Sequence, residues 1–356
     1  MIIMKKDTIF FLIARGGDAL RAFLSPDAKT RTRFYDEMRR GQEQRGSVML
    51  KLSREGYLEV RDWMYRNARP IDLALWRYRF EDGCDAEVLS ALAAYQNADG
   101  GFGHALDCDN WNPNSAPYNA SVAAAILTEL RLFDSEHEMV AKMLDHLGAT
   151  PFYAPDVGWH FTVPTNNAFP HAPWWTFSAE NNRASGFHAT GALAGYILRC
   201  GDNKNPAYSR ALAASRGIVD QISARQAGDI HEVGAYAAWL PGARAANLDF
   251  DLDQIEKIVS DMVNEAIERD PKKWVRYAMR PSQYITGPES LYYPGNEDIV
   301  QAELDYLIDT RFPHGVWDIS WEWGAYPDEF AIARRWWQGN RAAGTVALLR
   351  AFGRMD

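Results

Sequence analysis

Helical segments that are apolar on nearly every face alternate with segments that are apolar on one face only, from Tyr57 to the last residues of the chain. Pro117 to Phe133 runs through Ala-Ser-Val-Ala-Ala-Ala-Ile-Leu and offers no polar face, so it is expected to be buried all round. Its successor starts at Ser135 with Glu138 three residues on, a capping-box pattern, and carries Met139, Val140, Met143, Leu144 and Leu147 on one stripe. The same pairing recurs in Gly186 to Cys200 with Pro206 to Ile222, and in Ile230 to Leu240 with Leu252 to Arg269. Val60 to Asn67, Pro70 to Phe80 and Asp85 to Tyr95 precede these pairs, with Pro70 at a helix start where its missing N–H costs nothing. Amphipathic Glu297 to Thr310 and the Ala-, Leu- and Gly-rich Gly339 to Phe352 follow; an inner helix near Arg276 to Pro294 is poorly defined. No β-alternation of useful length intervenes. Buried helices alternating with half-exposed ones imply two concentric layers, about six helices in each. The expected fold class is therefore all-α, an (α/α)6 toroid forming a single domain over residues 49–356.

One inter-helix turn carries a denser signal. Residues 96 to 110 read Gln-Asn-Ala-Asp-Gly-Gly-Phe-Gly-His-Ala-Leu-Asp-Cys-Asp-Asn. Gln96 is placed to bond exposed backbone at the end of the preceding helix. Asp99 with Gly100-Gly101 supplies turn chemistry, because glycine accepts positive φ without steric cost. Phe102 is placed to plug the turn against the next repeat. A looser copy, His314-Gly315-Val316-Trp317, follows the helix ending near Arg311.

This pattern resembles the Q-x-x-D-G-G-[FW] repeat, the QW motif, of terpenoid cyclases and protein prenyltransferase β-subunits. Gly-Gly-Phe-Gly-His-Ala-Leu-Asp-Cys-Asp-Asn is similar to the G-G-W-G-A-F-D-x-D-N segment of squalene-hopene cyclases. The likeness spans roughly residues 57 to 354 and is most specific at 96 to 110. It implies a helical toroid with a ligand pocket at one mouth. Three departures bear on activity. The protonating D-x-D-D motif has Asn112-Pro113-Asn114-Ser115 as its local counterpart, without aspartate. The D-D-x-x-D motif of diphosphate-ionising synthases is absent. His188, in Gly186-Phe187-His188-Ala189-Thr190-Gly191, resembles the zinc-binding His of the Y-H-T-C stretch in prenyltransferase β-subunits, but the companion D-x-C ligands are missing. No metal and no cofactor are expected.

Composition narrows the class further. The chain has 356 residues, is 47% hydrophobic and 24% charged, and contains 13 Trp, 16 Tyr and 16 Phe, enough rings to fill an interior, line a cavity, or both. Its net charge of −9, with no basic stripe, argues against nucleic acid. The three cysteines are scattered, without a C-x-x-C pair, which argues against a disulfide framework and fits a reducing cytoplasm. No stretch approaches the ~20 apolar residues of a membrane span, although peripheral membrane contact stays open. Residues 1–48 are expected to be a poorly packed extension, with Met49 as an alternative start. The apolar run Ile9 to Ala14 behind Lys5-Lys6 is shorter than the ~7–15 residues of a leader core.

Three long loops hold the candidate site residues, since loops of such length in a compact domain are usually functional. His104 to Tyr118 contributes His104, Asp107, Asp109, Asn110 and Trp111. Gly158 to Phe187, ending at His188, contributes Trp174, Trp175 and Glu180. Val316 to Trp337 contributes Trp321, Glu322 and Trp323. Asp107 and Asp109 admit a carboxylate pair in which one member keeps its proton because the other is charged, or a helix-capping role. Glu232 and Tyr236 lie one helical turn apart on an apolar segment and are expected to face the pore, with Glu232 as a second acid. The tryptophans serve either as packing or as aromatic faces for cations or sugars.

Three functions follow. The first is a terpenoid-cyclase-like protein binding or protonating a hydrophobic isoprenoid substrate. The second is a carbohydrate-active (α/α)6 enzyme, with two carboxylates flanking a Trp platform. The third is a non-catalytic binding module using the same cavity.

Overall fold

The computed structural model describes residues 49–228, 230–311 and 315–356. The expectation for residues 1–48, and the His314 position of the second turn motif, lie outside them. Twelve α-helices make up most of the described chain: α1 (Arg54–Asn67), α2 (Pro70–Phe80), α3 (Asp85–Ala93), α4 (Pro117–Glu129), α5 (Glu138–Ala149), α6 (Ala179–Ala184), α7 (His188–Cys200), α8 (Pro206–Ser223), α9 (Glu232–Ala245), α10 (Leu252–Ala266), α11 (Glu297–Asp309) and α12 (Pro327–Ala351). A two-residue hairpin, β1 (Tyr153–Ala154) with β2 (Gly158–Trp159), is the paired-strand element of the described residues, which are all-α apart from it.

The helices start where the sequence supplies chemistry. Pro70, Pro117, Pro206 and Pro327 each open a helix, with φ already set and no N–H to leave unpaired. Ser53 and Asp251 cap α1 and α10 by accepting from Gly56 and Gln254 N–H. α10 buries Ile255, Val259, Met262 and Val263 on one face, each such side chain contributing roughly 1.5–3 kcal/mol.

Helix α7 and helix α9 approach closely because glycine lines their contact. A Cβ on Gly191 would lie 2.5 Å from the Ala235 carbonyl oxygen, one on Gly195 2.4 Å from that of Ala238, and one on Gly242 2.0 Å from that of Gly195. These pairs advance in the same sense along both helices, so α7 and α9 run parallel. Helix α8 returns the chain between them and packs on both. Two parallel helices joined by a returning third form a local three-helix unit. At the other end of the chain, Leu52 pairs with Met355 and exchanges backbone hydrogen bonds with Arg354 and Asp356, while α12 packs on α1 and α2.

Several expectations need correction. Helix α5 starts at Glu138 with His137 as an unassisted cap, so Ser135 does not cap it. The region from Arg276 to Pro294 forms no α-helix; it holds the short 3-10 turn Pro281–Gln283, and Pro281, Pro288 and Pro294 remove the backbone donors a helix needs. Helix α12 begins twelve residues before Gly339: Tyr326 turns the chain at φ 50, and Asp328 and Glu329 follow Pro327 in the first turn. Gly339 is instead a mid-helix contact, its Cα facing Ala68 and Trp63.

In the turn motif, Gln96 reaches further than the helix end expected for it. Its Nε2 donates to Gly100 O (3.0 Å) and to Met139 O at the start of α5 (2.9 Å), tying the turn to the next helix pair. Asp99 accepts from Gly101 N–H and from Ser115 Oγ. Gly100 sits at φ 85, and Phe102 is fully buried.

Candidate functional site

The chain after Phe102 folds back on itself through two consecutive left-handed residues, His104 (φ 56) and Ala105 (φ 59), a conformation side chains rarely adopt. Arg69, just ahead of α2, holds this bend. Its buried guanidinium pairs with Asp72 at 2.7 Å and donates to Ala105 O (2.8 Å) and Leu106 O (3.2 Å). The other side of the loop is fixed by a buried amide hub. Asn112 donates to Thr165 Oγ1 and Asn166 Oδ1, both at 2.8 Å, and accepts from Asn114. Backbone bonds from Trp111 to Pro170 O and from Ala172 to Asp109 O join it to the second long loop.

These anchors place Asp107 and Asp109 beside the N-terminus of α4, both buried. Asn119, in the first turn of α4, accepts from Asp107 N–H (3.1 Å), and Asp107 Oδ1 accepts from Asp109 N–H (2.9 Å). Asp109 then receives two indole donors from the third loop: Trp321 Nε1 at 2.9 Å on Oδ2 and Trp323 Nε1 at 2.8 Å on Oδ1. Burial, and then the charge of Asp109, push Asp107 up to about 7. Burial also raises Asp109, opposed by the indoles of Trp323, Trp337 and Trp321. The outcome is one carboxyl that keeps its proton near neutrality and a neighbour whose charge is caught by indole N–H groups.

Around the pair runs a circuit of ring contacts. Trp175 meets Phe161 (4.4 Å between centroids) and Tyr118 (4.7 Å); Phe161 stacks on His188 (4.9 Å), and His188 on His231 (4.9 Å). His231 Nε2 lies 2.8 Å from the Tyr277 hydroxyl, and Tyr277 meets Trp321 at 5.6 Å. Trp321 closes the circuit on Asp109 and also touches Trp337 (5.4 Å). Trp111 stacks on Trp336 at 5.0 Å and meets Trp323 edge-on, walling the acid pair on its far side. Tyr118, His188 and His231 stand at the starts of α4, α7 and α9, so three helix N-termini converge here.

The structure thus brings together Asp107, Asp109, Trp111, Trp175, His188, Trp321 and Trp323. Asn110 is buried beside them, bonding Asn166 at 3.3 Å. It does not bring in the others. Glu232 is a correction: its Oε1 accepts from Phe187 N–H at 2.6 Å and its Oε2 from Gly228 N–H, so the carboxylate is committed to backbone between α6 and α9. Tyr236 is fully buried and donates to Gln226 O (3.0 Å). His104, Trp174, Glu180 and Glu322 are exposed. His104 lies 2.8 Å from Asn97 Oδ1, and Trp174 gives its carbonyl to Asn181.

Sequence reasoning missed Arg69, Phe161, His231 and Tyr277. His231 was legible as a histidine near the start of a buried-type segment, much as His188 begins α7. The three cysteines are free thiols, and burial raises Cys108, between the two aspartates, far above its ordinary value. Among the described residues, no helix is long and apolar enough to cross a membrane, and no three His, Cys, Asp or Glu side chains gather as a metal site requires. Comparison with family models, with curated proteins and with solved structures finds no match to this chain.

Proposed function

We propose that the helices close into a toroid of the terpenoid-cyclase and prenyltransferase kind, and that Asp107 is the acid of a pocket that protonates an isoprenoid-type substrate. The parallel α7 and α9, the returning α8 and the pairing of Leu52 with Met355 support the closure. One observation carries the chemistry: a carboxyl pushed to about 7 sits within a circuit of aromatic faces. Asp107 gives up its proton as charge develops on the substrate. The faces of Trp175, Tyr118 and Phe161 then stabilise the cation, and the charged Asp109 attracts it from behind. The mouth at three helix N-termini draws anionic groups toward the same site.

A second reading has its own support. Asn119 Nδ2 is buried beside the acid pair without a hydrogen-bond partner. A hydrocarbon leaves it unpaired, whereas an oxygen of a sugar satisfies it, and a carboxyl near 7 suits acid catalysis of glycosidic cleavage.

Purified protein is incubated in parallel with a panel of acyclic isoprenoids and a panel of oligosaccharides, and products are read by mass spectrometry. Cyclised or isomerised isoprenoid, lost in Asp107→Asn, is the expected result. Product from the sugar panel alone replaces the first reading by the second. Turnover that survives Asp107→Asn removes Asp107 as the acid in both.

A further inference from the structure

Arg341 is a cation that has no ion-pair partner among the described residues. It lies on α12 one helical turn beyond Trp337 and therefore on the same face. Its Nε is closed off from solvent and bonded to nothing, and no described residue offers its guanidinium a hydrogen bond or an ion pair. Part of the side chain stays accessible although the guanidinium lies deep.

The neighbouring groups do not neutralise it. Arg280 is also buried and sits 3.4 Å from Glu303, with its guanidinium over the Tyr306 ring. Both oxygens of Glu303 are occupied by Ser282, from Oγ at 2.6 Å and from N–H at 2.7 Å. Asp318 is taken by Arg334 and Gln338. Arg280 and Arg341 against Glu303 count two positive charges and one negative, leaving one uncompensated. Burial, and then Arg280, pull Arg341 down to about 10. Leaving a buried charge unpaired is costly, and a ligand that supplies the counter-charge recovers that cost on binding.

We propose that Arg341, backed by Arg280, is the subsite for a singly charged oxyanion, a carboxylate, on the ligand that occupies the aromatic pocket. The assignment rests on reading that pocket as a substrate site, and it adds the class of substrate: one with a carboxylate at one end and its reactive group toward Asp107. A single residual charge matches a carboxylate better than a diphosphate, which would be left with excess negative charge. The planar guanidinium fork also fits carboxylate geometry.

The test is calorimetric titration of the full chain with sodium benzoate, phosphate and diphosphate, on wild type, Arg341→Met, Arg341→Lys and Asp107→Asn, with thermal melts alongside. Wild type is expected to bind benzoate in preference to diphosphate. Arg341→Met is expected to weaken benzoate at least tenfold, and Arg341→Lys to restore part of the loss. Without ligand, Arg341→Met should melt above wild type, because an uncompensated charge has left the interior; saturating benzoate should raise the melting temperature of wild type and of Asp107→Asn but not that of Arg341→Met. Benzoate affinity unchanged in Arg341→Met, no benzoate binding by wild type, or tighter binding of diphosphate overturns the proposal. Asp107→Asn is expected to bind benzoate as wild type does. An absence of turnover alongside intact benzoate binding therefore counts against the acid chemistry and not against the subsite.

Discussion

Two buried carboxylate sites in this molecule meet opposite fates. Glu232 and the Asp107–Asp109 pair are buried to similar depth, each beside a helix start. Glu232 is gripped by two backbone N–H groups, from Phe187 and Gly228. Such donors cannot rotate away, and they hold the carboxylate as a rivet between segments. Asp109 is gripped by side-chain donors, the Trp321 and Trp323 indoles, and its charge keeps the proton on Asp107. The two sites differ in their donors: fixed backbone N–H groups at Glu232, and movable indole groups beside a second carboxyl at Asp109.

The largest expected effect separates the two sites by function. Asp107→Asn should lower kcat by about 10²–10⁴, the usual range for loss of a positioned acid, while the fold is kept. With Asp107 intact, activity should fall as pH rises through about 7, where the acid loses its proton. A rate that is flat across that range breaks the contrast.

Glu232→Ala should act on stability instead. It strands two backbone donors that now serve a charged acceptor, each such bond being worth roughly 1.5–3 kcal/mol. Urea unfolding reads the loss; a midpoint within error of wild type would show that the rivet is idle.

Trp323→Phe sharpens the comparison with a smaller change. It removes one of the indole donors to Asp109 and keeps an aromatic ring, at a cost of roughly 1.5–3 kcal/mol to the charged form. Asp109 should rise further, and the upper limb of the pH–rate profile should shift. An unmoved limb means that the indole does not set the pair.

The remaining effect is a slope. Asp107 titrates at about 7 in the fold but near 4 in an unfolded chain. The unfolded form releases its proton first, so this group's contribution to stability declines from about pH 4 to 7 and stays low above. Melts at pH 5 and pH 8 should show Asp107→Asn gaining on wild type at the higher pH. Parallel melts at both would place Asp107 at its ordinary value.

How much of this was readable in the chain varies with the range of the interaction. The ends of α2 were legible to the residue, because Pro70 and the apolar run to Phe80 are local signals. The start of α12 was not: Gly339 looks like a boundary and is a packing contact made from the far end of the chain, against Ala68. Asp107 and Asp109 stood out by spacing, but nothing nearby announces Trp321 and Trp323, which lie 212 and 214 residues further along. Glu232 looked like a pore-facing acid because an apolar helix with one carboxylate gives no hint that backbone from another segment will bind it. Arg341 carries a weak signal that can be recognised afterwards, a lone cation at the head of Ala-Ala-Gly-Thr-Val-Ala.

The glycine seam between α7 and α9 sets a measure for the pocket. His188 begins α7 and His231 immediately precedes α9, and their rings stack at 4.9 Å. With no side chains between the two backbones at Gly191, Gly195 and Gly242, the helix spacing is as small as main chains allow, and it carries over to the two imidazoles. One methyl group added at Gly195 has nowhere to go except between the helices, so it would act as a wedge. Its effect should be felt as a gap in the aromatic wall two turns away, which makes the seam a handle on pocket width that touches no residue of the pocket.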